Sequence, residues 1–248
     1  MATIKDIAKK ANVSVSTVSY ALNGGPRNVP AEVRERIFQI AKELEYRPNS
    51  LAKSMVTGRT NVLGIVAPEV VNDMAASPFF AQVLNAIVNE CETSGHDVLI
   101  FTRISALNSN ESIFSLIDGR CDGLIFIAPN EDSHGVTFLS KIGFPHVVIN
   151  GECPGTSAFN VNNEIGMHTI VDHLVSLGHT NIAHIAGPRK LVDANERRAA
   201  FSKRMAHHGH TPKEDDILIG DFNQAAGLEL GLDLLNRKSP PTAICCGN

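Results

Sequence analysis

From Val62 onward, short apolar runs recur, and each is separated from the next by a longer amphipathic stretch. The runs are VLGIV (62–66), DVLIFT (97–102), GLIFI (123–127), HVVI (146–149), AFNV (158–161), IAHIA (182–186), DILIG (216–220) and TAICC (242–246). Runs this short, rich in β-branched residues, read as buried strands. The stretches between them predict helices over 79–94, 110–117, 132–142, 164–177, 193–208 and 224–235. Strands that alternate with helices mean a parallel, doubly wound sheet, and eight strands suit one sheet or two. Gly95, Gly178 and Gly209 fall where helix ends are expected. The break between Ile149 and Phe159, rich in Gly, Pro and Ser, reads as a rearrangement point.

Ahead of Val62 the pattern is all helical. Thr3 caps a first helix, Asp6 follows at capping-box spacing, and Ile4, Ile7, Ala8 and Ala11 supply an apolar stripe. Asn12-Val13-Ser14 makes a tight turn. Ser14 then caps a second helix from Val15, stopped by Asn23-Gly24-Gly25-Pro26. Its expected apolar face is Val15, Val18 and Leu22. A third helix runs from about Ala31 to Leu44, with Val33, Ile37, Ile40, Ala41 and Leu44 inward. The three-residue turn between the first two matches a helix-turn-helix. The second helix shows Ser16, Thr17, Ser19 and Tyr20 and almost no charge, a composition suited to lying against another surface. Arg47-Pro48-Asn49 breaks the chain, and SLAKSMVTGRTN (50–61) reads as a conditionally helical linker.

Charge separates the same two regions. Residues 1–59 hold ten Lys or Arg against five Asp or Glu, whereas 60–248 hold twelve against twenty-one. A basic head on an acidic body suggests that the head meets a polyanion. No apolar run approaches a membrane span, and the N-terminus lacks a secretory pattern. Five scattered cysteines without a CxxC pair fit a reducing cytoplasm. No phosphate loop and no nucleophile elbow is visible. His207, His208 and His210 suit a helix C-terminus better than a metal site.

The head, TIKDIAKKANVSVSTVSYALN followed by VPAEVRERIFQIAKELEYRPNSLAKSM, resembles the DNA-binding signature of the lactose-repressor (LacI/GalR) family of bacterial transcription regulators almost residue for residue. VDHLVSLGHTNIAHIAGP (171–188) and DGLIFI (122–127) are similar to family signatures in the body. The resemblance implies an all-α helix-turn-helix head over 1–47 and a hinge helix with linker over 48–60. After these comes an α/β periplasmic-binding-protein-like body of two doubly wound parallel-sheet subdomains, 61–161 and 162–248. It implies Val15, Ser16 and Tyr20 at base edges and Thr17, Ser19 and Asn23 at phosphates. Val29 and Ala52 are also implied at the DNA. Met55 stands where the family wedges a Leu into the minor groove. Many members carry Arg in place of Tyr20, so this chain lacks that bidentate guanine reader.

In the body, the resemblance carries effector contacts onto Phe79, Phe80, Asn150, Asp193, Arg197, Phe222 and Asn248. Asn and Asp suit sugar hydroxyls, and Arg197 offers a planar fork. The partners so implied are a palindromic double-stranded operator, a small effector with a sugar as the default and a nucleobase or organic acid as alternatives, and a second copy of the chain. No cofactor, metal, membrane or catalysis is expected, and the bacterial cytoplasm, at the nucleoid, is the expected place of action. Family members run on beyond the position of Asn248. The second subdomain is therefore expected to be incomplete, with weak stability and weak dimerisation. Two other readings stay open: an α/β enzyme with an accessory DNA-binding head, and a DNA-binder that senses no ligand.

Overall fold

The computed structural model describes residues 2–24, 28–49, 53–54, 57–67, 77–102, 113–131 and 133–248. They divide into two compact units, Met1–Thr60 and Asn61–Asn248.

The first unit packs α1 (Ile4–Ala11), α2 (Val15–Asn23) and α3 (Ala31–Glu43), each against the other two. Their starts follow from capping chemistry. The Asp6 N–H donates to the Thr3 hydroxyl (3.4 Å) while the Asp6 carboxylate accepts from the Thr3 N–H (2.8 Å), a reciprocal capping box. Asn12 turns the chain in the left-handed region (φ 51°), a conformation its short polar side chain tolerates. The Ser14 hydroxyl accepts from the Thr17 N–H at 3.1 Å and so opens α2. Ser14→Ala removes that acceptor and is expected to cost the head about 1 kcal/mol. Amide hydrogen exchange at Thr17 checks this: faster exchange is expected, and an unchanged rate would mean that the cap contributes nothing.

Ile7, Ala8, Ala11, Val18, Ala21, Val29, Ile37, Ile40 and Ala41 form the head core. The expected Val15–Val18–Leu22 face is corrected here. Val15 is 42% exposed, Ala21 is buried beside Val18, and Leu22 is only partly buried. The buried arc is centred between Val18 and Ala21, which leaves Val15 about a quarter-turn away on the helix. Of the linker, Lys53 donates its N–H to the Asn49 carbonyl (3.0 Å) and Gly58 to that of Ser54 (2.8 Å), both with helical i to i−4 spacing. Ala52 and Met55 lie outside the described residues.

The second unit holds two parallel sheets. One comprises β1 (Val62–Val66), β2 (Asp97–Phe101), β3 (Gly123–Ile127), β4 (His146–Ile149) and β5 (Ser157–Phe159), in the order β2-β1-β3-β4-β5. The other comprises β6 (Ile182–Ala186), β7 (Ile217–Ile219) and β8 (Ala243–Cys246), in the order β7-β6-β8. The helices are α4 (Pro78–Ser94), α5 (His134–Ile142), α6 (Asn163–Ser176), α7 (Val192–His207) and α8 (Gln224–Leu235). Of the helix expected over 110–117, residues 110–112 lie outside the described set, while Ile113 and Leu116 are buried with Phe126, Val136, Leu139 and Val148. Gly64 on β1 is required by crowding, because a Cβ there would lie 2.6 Å from the Phe101 ring and 2.7 Å from Leu124.

Three expectations are corrected. The break between Ile149 and Phe159 is not where the sheet changes, because β4 and β5 are parallel neighbours within the first sheet. Asn150 turns in the left-handed region (φ 53°) and donates its N–H to the Phe159 carbonyl (3.1 Å), which continues that pairing. The chain leaves the sheet only after Phe159, which also shortens the strand expected at 158–161. The strand expected at 216–220 spans only Ile217–Ile219, because Glu214–Asp216 form a 3-10 turn. Arg237 engages that turn at the Asp215 carbonyl (2.8 Å) and the Asp216 carboxylate (3.4 Å).

In the second sheet α6 and α7 cover one face. Ile182 and Cys245 from the sheet meet Met167, Val171, Phe201 and Met205 from the helices, and buried His184 stacks on Phe201 at 4.8 Å. The helix pair is clasped by Asp172, whose two oxygens accept from Arg204 Nε and Nη2 (both 2.6 Å), with His208 Nε2 at 2.6 Å from Oδ1. Arg204 first, then His208, hold the Asp172 carboxyl far below the usual carboxylate range. The sign follows from a folded pKa depressed below the unfolded one. Stabilisation by the clasp is fully present above the unfolded value and disappears as pH falls through the lower, folded one. Asp172→Asn should therefore melt below the wild type at neutral pH, with the difference closing only in strong acid. A difference that stays constant with pH would contradict the clasp.

Candidate functional site

On α2, the exposed surface is built by the cap. The Ser14 hydroxyl lies 2.8 Å from the Ser16 hydroxyl and 2.8 Å from the Thr17 hydroxyl, so three short side chains share one hydrogen-bonded cluster at the helix N-terminus. Val15, Ser16 and Asn23 are exposed, and Thr17, Ser19 and Tyr20 are partly buried. Tyr20 packs part of its ring on the head core, which leaves the remainder outward. Val29 belongs to the core, so a contact with another molecule at that position falls to its backbone. The face of α2 is thus uncharged, small and hydroxyl-rich, and its first N–H groups favour an anion.

In the body, the carboxyl ends of the strands gather a second set of residues. Asp193 sits in the first turn of α7, 7% exposed, with Oδ1 accepting from the Ala194 N–H (2.9 Å). One helical turn later Arg197 Nη2 pairs with Asp193 Oδ2 at 3.2 Å. Arg197 Nε donates to Asn163 Oδ1 (2.8 Å), and Nη1 donates to the Gly247 carbonyl (2.6 Å) just beyond β8. Its guanidinium carbon stands 6.0 Å from the centre of the Phe222 ring. Burial pushes the Asp193 carboxyl up, against the pull of Arg197.

Phe222 follows β7 in the left-handed region (φ 65°), an unusual conformation for a bulky residue. Its ring packs on Ala128, Leu191 and Ala194, and it requires Gly187, where a Cβ would fall 2.0 Å from the ring. Asn248 Nδ2 donates to the Phe222 carbonyl at 3.4 Å. Asp193, Arg197, Phe222 and Asn248 therefore form one constellation. Phe80 instead is 2% exposed in a core with Ile65, Ala67 and Ile127, while neighbouring Phe79 is 43% exposed. Asn150 is buried where β4 ends. Among the described residues, no hydrogen bond or ion pair joins Phe79, Phe80 or Asn150 to the Arg197 group.

Residues that the sequence left unremarked complete the site. Asn163 is 8% exposed and bridges Arg197 to Glu196, donating from Nδ2 to Glu196 Oε2 at 2.6 Å. Asn195 donates from Nδ2 to Glu131 (3.1 Å), and the Glu131 N–H donates to the Lys190 carbonyl (2.9 Å), joining the loop after β3 to the start of α7. A cavity of about 470 Å³ adjoins this network, with Glu152, Asn160, Asn163, Glu164, Glu196 and Lys203 among its lining. The signal for Asn163 was its place at a helix start beside two other asparagines. Its partner on α7 could not be read from the sequence. Among the described residues no cluster of His, Cys, Asp and Glu is arranged to hold a metal, and no helix is long and apolar enough to cross a membrane.

A helix-turn-helix head followed in the same chain by a two-sheet body with a polar constellation at its strand ends defines a class: DNA-binding regulators with a periplasmic-binding-like sensor. Residues 3–49 match the family described as bacterial regulatory proteins, lacI family, and residues 171–248 match the periplasmic binding protein-like domain. The chain is 31% identical over 252 residues to the HTH-type transcriptional repressor PurR of Proteus mirabilis (strain HI4320), covering all of this chain and 72% of that protein. It is 28% identical to the probable HTH-type transcriptional repressor ExuR of Bacillus subtilis (strain 168), covering all of this chain and 73% of that one. Among solved structures, the lac repressor dimer bound to operator and the anti-inducer ONPF superposes with a TM-score of 0.83 at 26% identity, over 99% of this chain and 73% of that one. The complex of the transcriptional regulator CelR with cellobiose gives 0.67 at 25% identity, over 99% and 74%. The chain belongs to the lacI family of bacterial regulatory proteins. It is a DNA-binding transcriptional regulator of the helix-turn-helix type.

Proposed function

We propose that this regulator is a repressor whose grip on a palindromic operator is set by a small neutral sugar. The observation that carries the reading is the single network of Asp193, Arg197, Phe222 and Asn248, which offers paired polar groups beside an aromatic wall. Residues 1–47 act as the reading head and 48–60 as its hinge. The subdomains 61–161 and 162–248 close on the effector. Val15, Ser16 and Tyr20 meet base edges, and Thr17, Ser19 and Asn23 hold phosphates. Val29 and Ala52 approach the DNA backbone, and Met55 wedges into the minor groove. Phe79, Phe80 and Asn150 border the effector from the first subdomain. A homodimer presents two heads to two half-sites, and the regulator works in the cytoplasm at the nucleoid. Its action is binding without turnover.

Isothermal calorimetry with a panel of neutral mono- and disaccharides, followed by recovery of the sugar, tests this. Saturable binding with the sugar returned unchanged is the expected result. Chemical conversion of the sugar would favour a catalyst. Absence of binding across the panel would favour a DNA-binder that senses no sugar.

A further inference from the structure

We infer that Asp193 is the specificity-determining residue of the cleft, turning it from a site for acidic ligands into one for neutral polyhydroxylated ligands. The inference rests on the effector site assigned above to the Arg197 network.

Arginine is the side chain best shaped to receive a carboxylate, because its fork offers two parallel N–H bonds. Here that fork is already occupied. Nε donates to Asn163 (2.8 Å) and Nη1 to the Gly247 carbonyl (2.6 Å), and Nη2 stands 3.2 Å from Asp193 Oδ2 as an ion pair. A guanidinium carries five N–H groups, so three remain outside those two hydrogen bonds, one on Nη1 and two on Nη2 beside Asp193. These can donate to hydroxyl oxygens but, beside Asp193, no longer offer an unneutralised cation.

The surrounding charge points the same way. Asp193 sits directly on the guanidinium, Glu196 is linked to it through Asn163, and Glu131 is tied to the start of α7 through Asn195. Two carboxylates, Asp193 and Glu196, thus stand around one arginine, with Glu131 tied in further along the same network. Arg189 and Lys190, at the turn before α7, are exposed and join the network through their backbone carbonyls. A ligand carboxylate would add a further negative charge to a partly desolvated place, where like charges repel strongly. A ligand hydroxyl meets no such penalty. It accepts from a free Arg197 N–H and donates to Asp193 Oδ2, while the Phe222 ring covers a C–H face of the ligand.

The test compares D-glucuronate and D-galacturonate with D-glucose and D-galactose, by calorimetry on the whole chain at fixed ionic strength. Asp193→Asn keeps the shape and the acceptor for the Ala194 N–H, and it removes the charge. The wild type is expected to reject both uronates, and Asp193→Asn to gain about tenfold or more in uronate affinity, a gain abolished by adding Arg197→Met. Asp193→Ser should show the same gain, and serves if the asparagine variant folds poorly. Wild-type binding of either uronate as tightly as the variant would overturn the inference, and so would the absence of any uronate gain in both variants. If neither neutral hexose binds the wild type while the uronate gain appears, the choice of effector sugar fails and the role of Asp193 stands.

Discussion

Arg197→Ala is expected to abolish the response to effector and to destabilise the second unit by about 3 kcal/mol, because it leaves the buried Asp193 carboxylate without its counter-charge. Three of its nitrogens each hold a different part of the body: Asn163 at the start of α6, Asp193 on α7 and the Gly247 carbonyl after β8. Structural cost and lost recognition are separated by the double variant Asp193→Asn with Arg197→Met. Removing both charges together should restore most of the melting temperature, since a buried pair replaced as a pair costs far less than one broken. It should not restore binding of a neutral sugar. A double variant that binds sugar like the wild type would remove Arg197 from the site.

Ser16→Glu is expected to lower DNA affinity by more than about a hundredfold while the head stays folded, because it sets a carboxylate on a surface facing phosphates and base edges. Ser16 is exposed at the start of α2, and no buried contact is lost. Its hydroxyl bond to Ser14 (2.8 Å) is an exposed one, so the stability cost is small. Ser16→Ala is the companion change and should cost only a few-fold. An electrophoretic shift assay reads both. Equal retention of DNA by wild type and the glutamate variant would mean that α2 does not lie against DNA.

What was legible in the sequence divides along physical lines. The interior strands β1, β3, β4 and β6 carry mostly apolar runs, broken at His184 in β6 and opened by His146 in β4, and their bounds agree with the pattern because both sheet faces are covered. The edge strands β5 and β7 drifted, because an edge has one partner and its ends are set by neighbouring turns. In α2, Val15 was grouped with Val18 because both are valine at helical spacing. Packing instead selected Ala21, whose small side chain lets the helix approach α1 and α3. Val29, implied at the DNA by the signature, is buried in this head. In the cleft, residue types on one helix were readable, as with Asp193 and Arg197 four residues apart. Partners supplied from a distance, Asn163 and the Gly247 carbonyl, depend on how α6 and α7 pack on the second sheet, and no local pattern records that.

Selection of duplexes by the whole chain from a random-sequence DNA pool, with excess nonspecific competitor and at two salt concentrations, bears most directly on sequence-specific recognition by the head. The predicted result is enrichment of one two-fold symmetric motif whose half-sites lie about one helical turn or a multiple apart, and whose binding survives competitor. Enrichment of no motif, with all retention erased by salt and competitor, would leave only attraction to phosphate and would contradict operator recognition through α2.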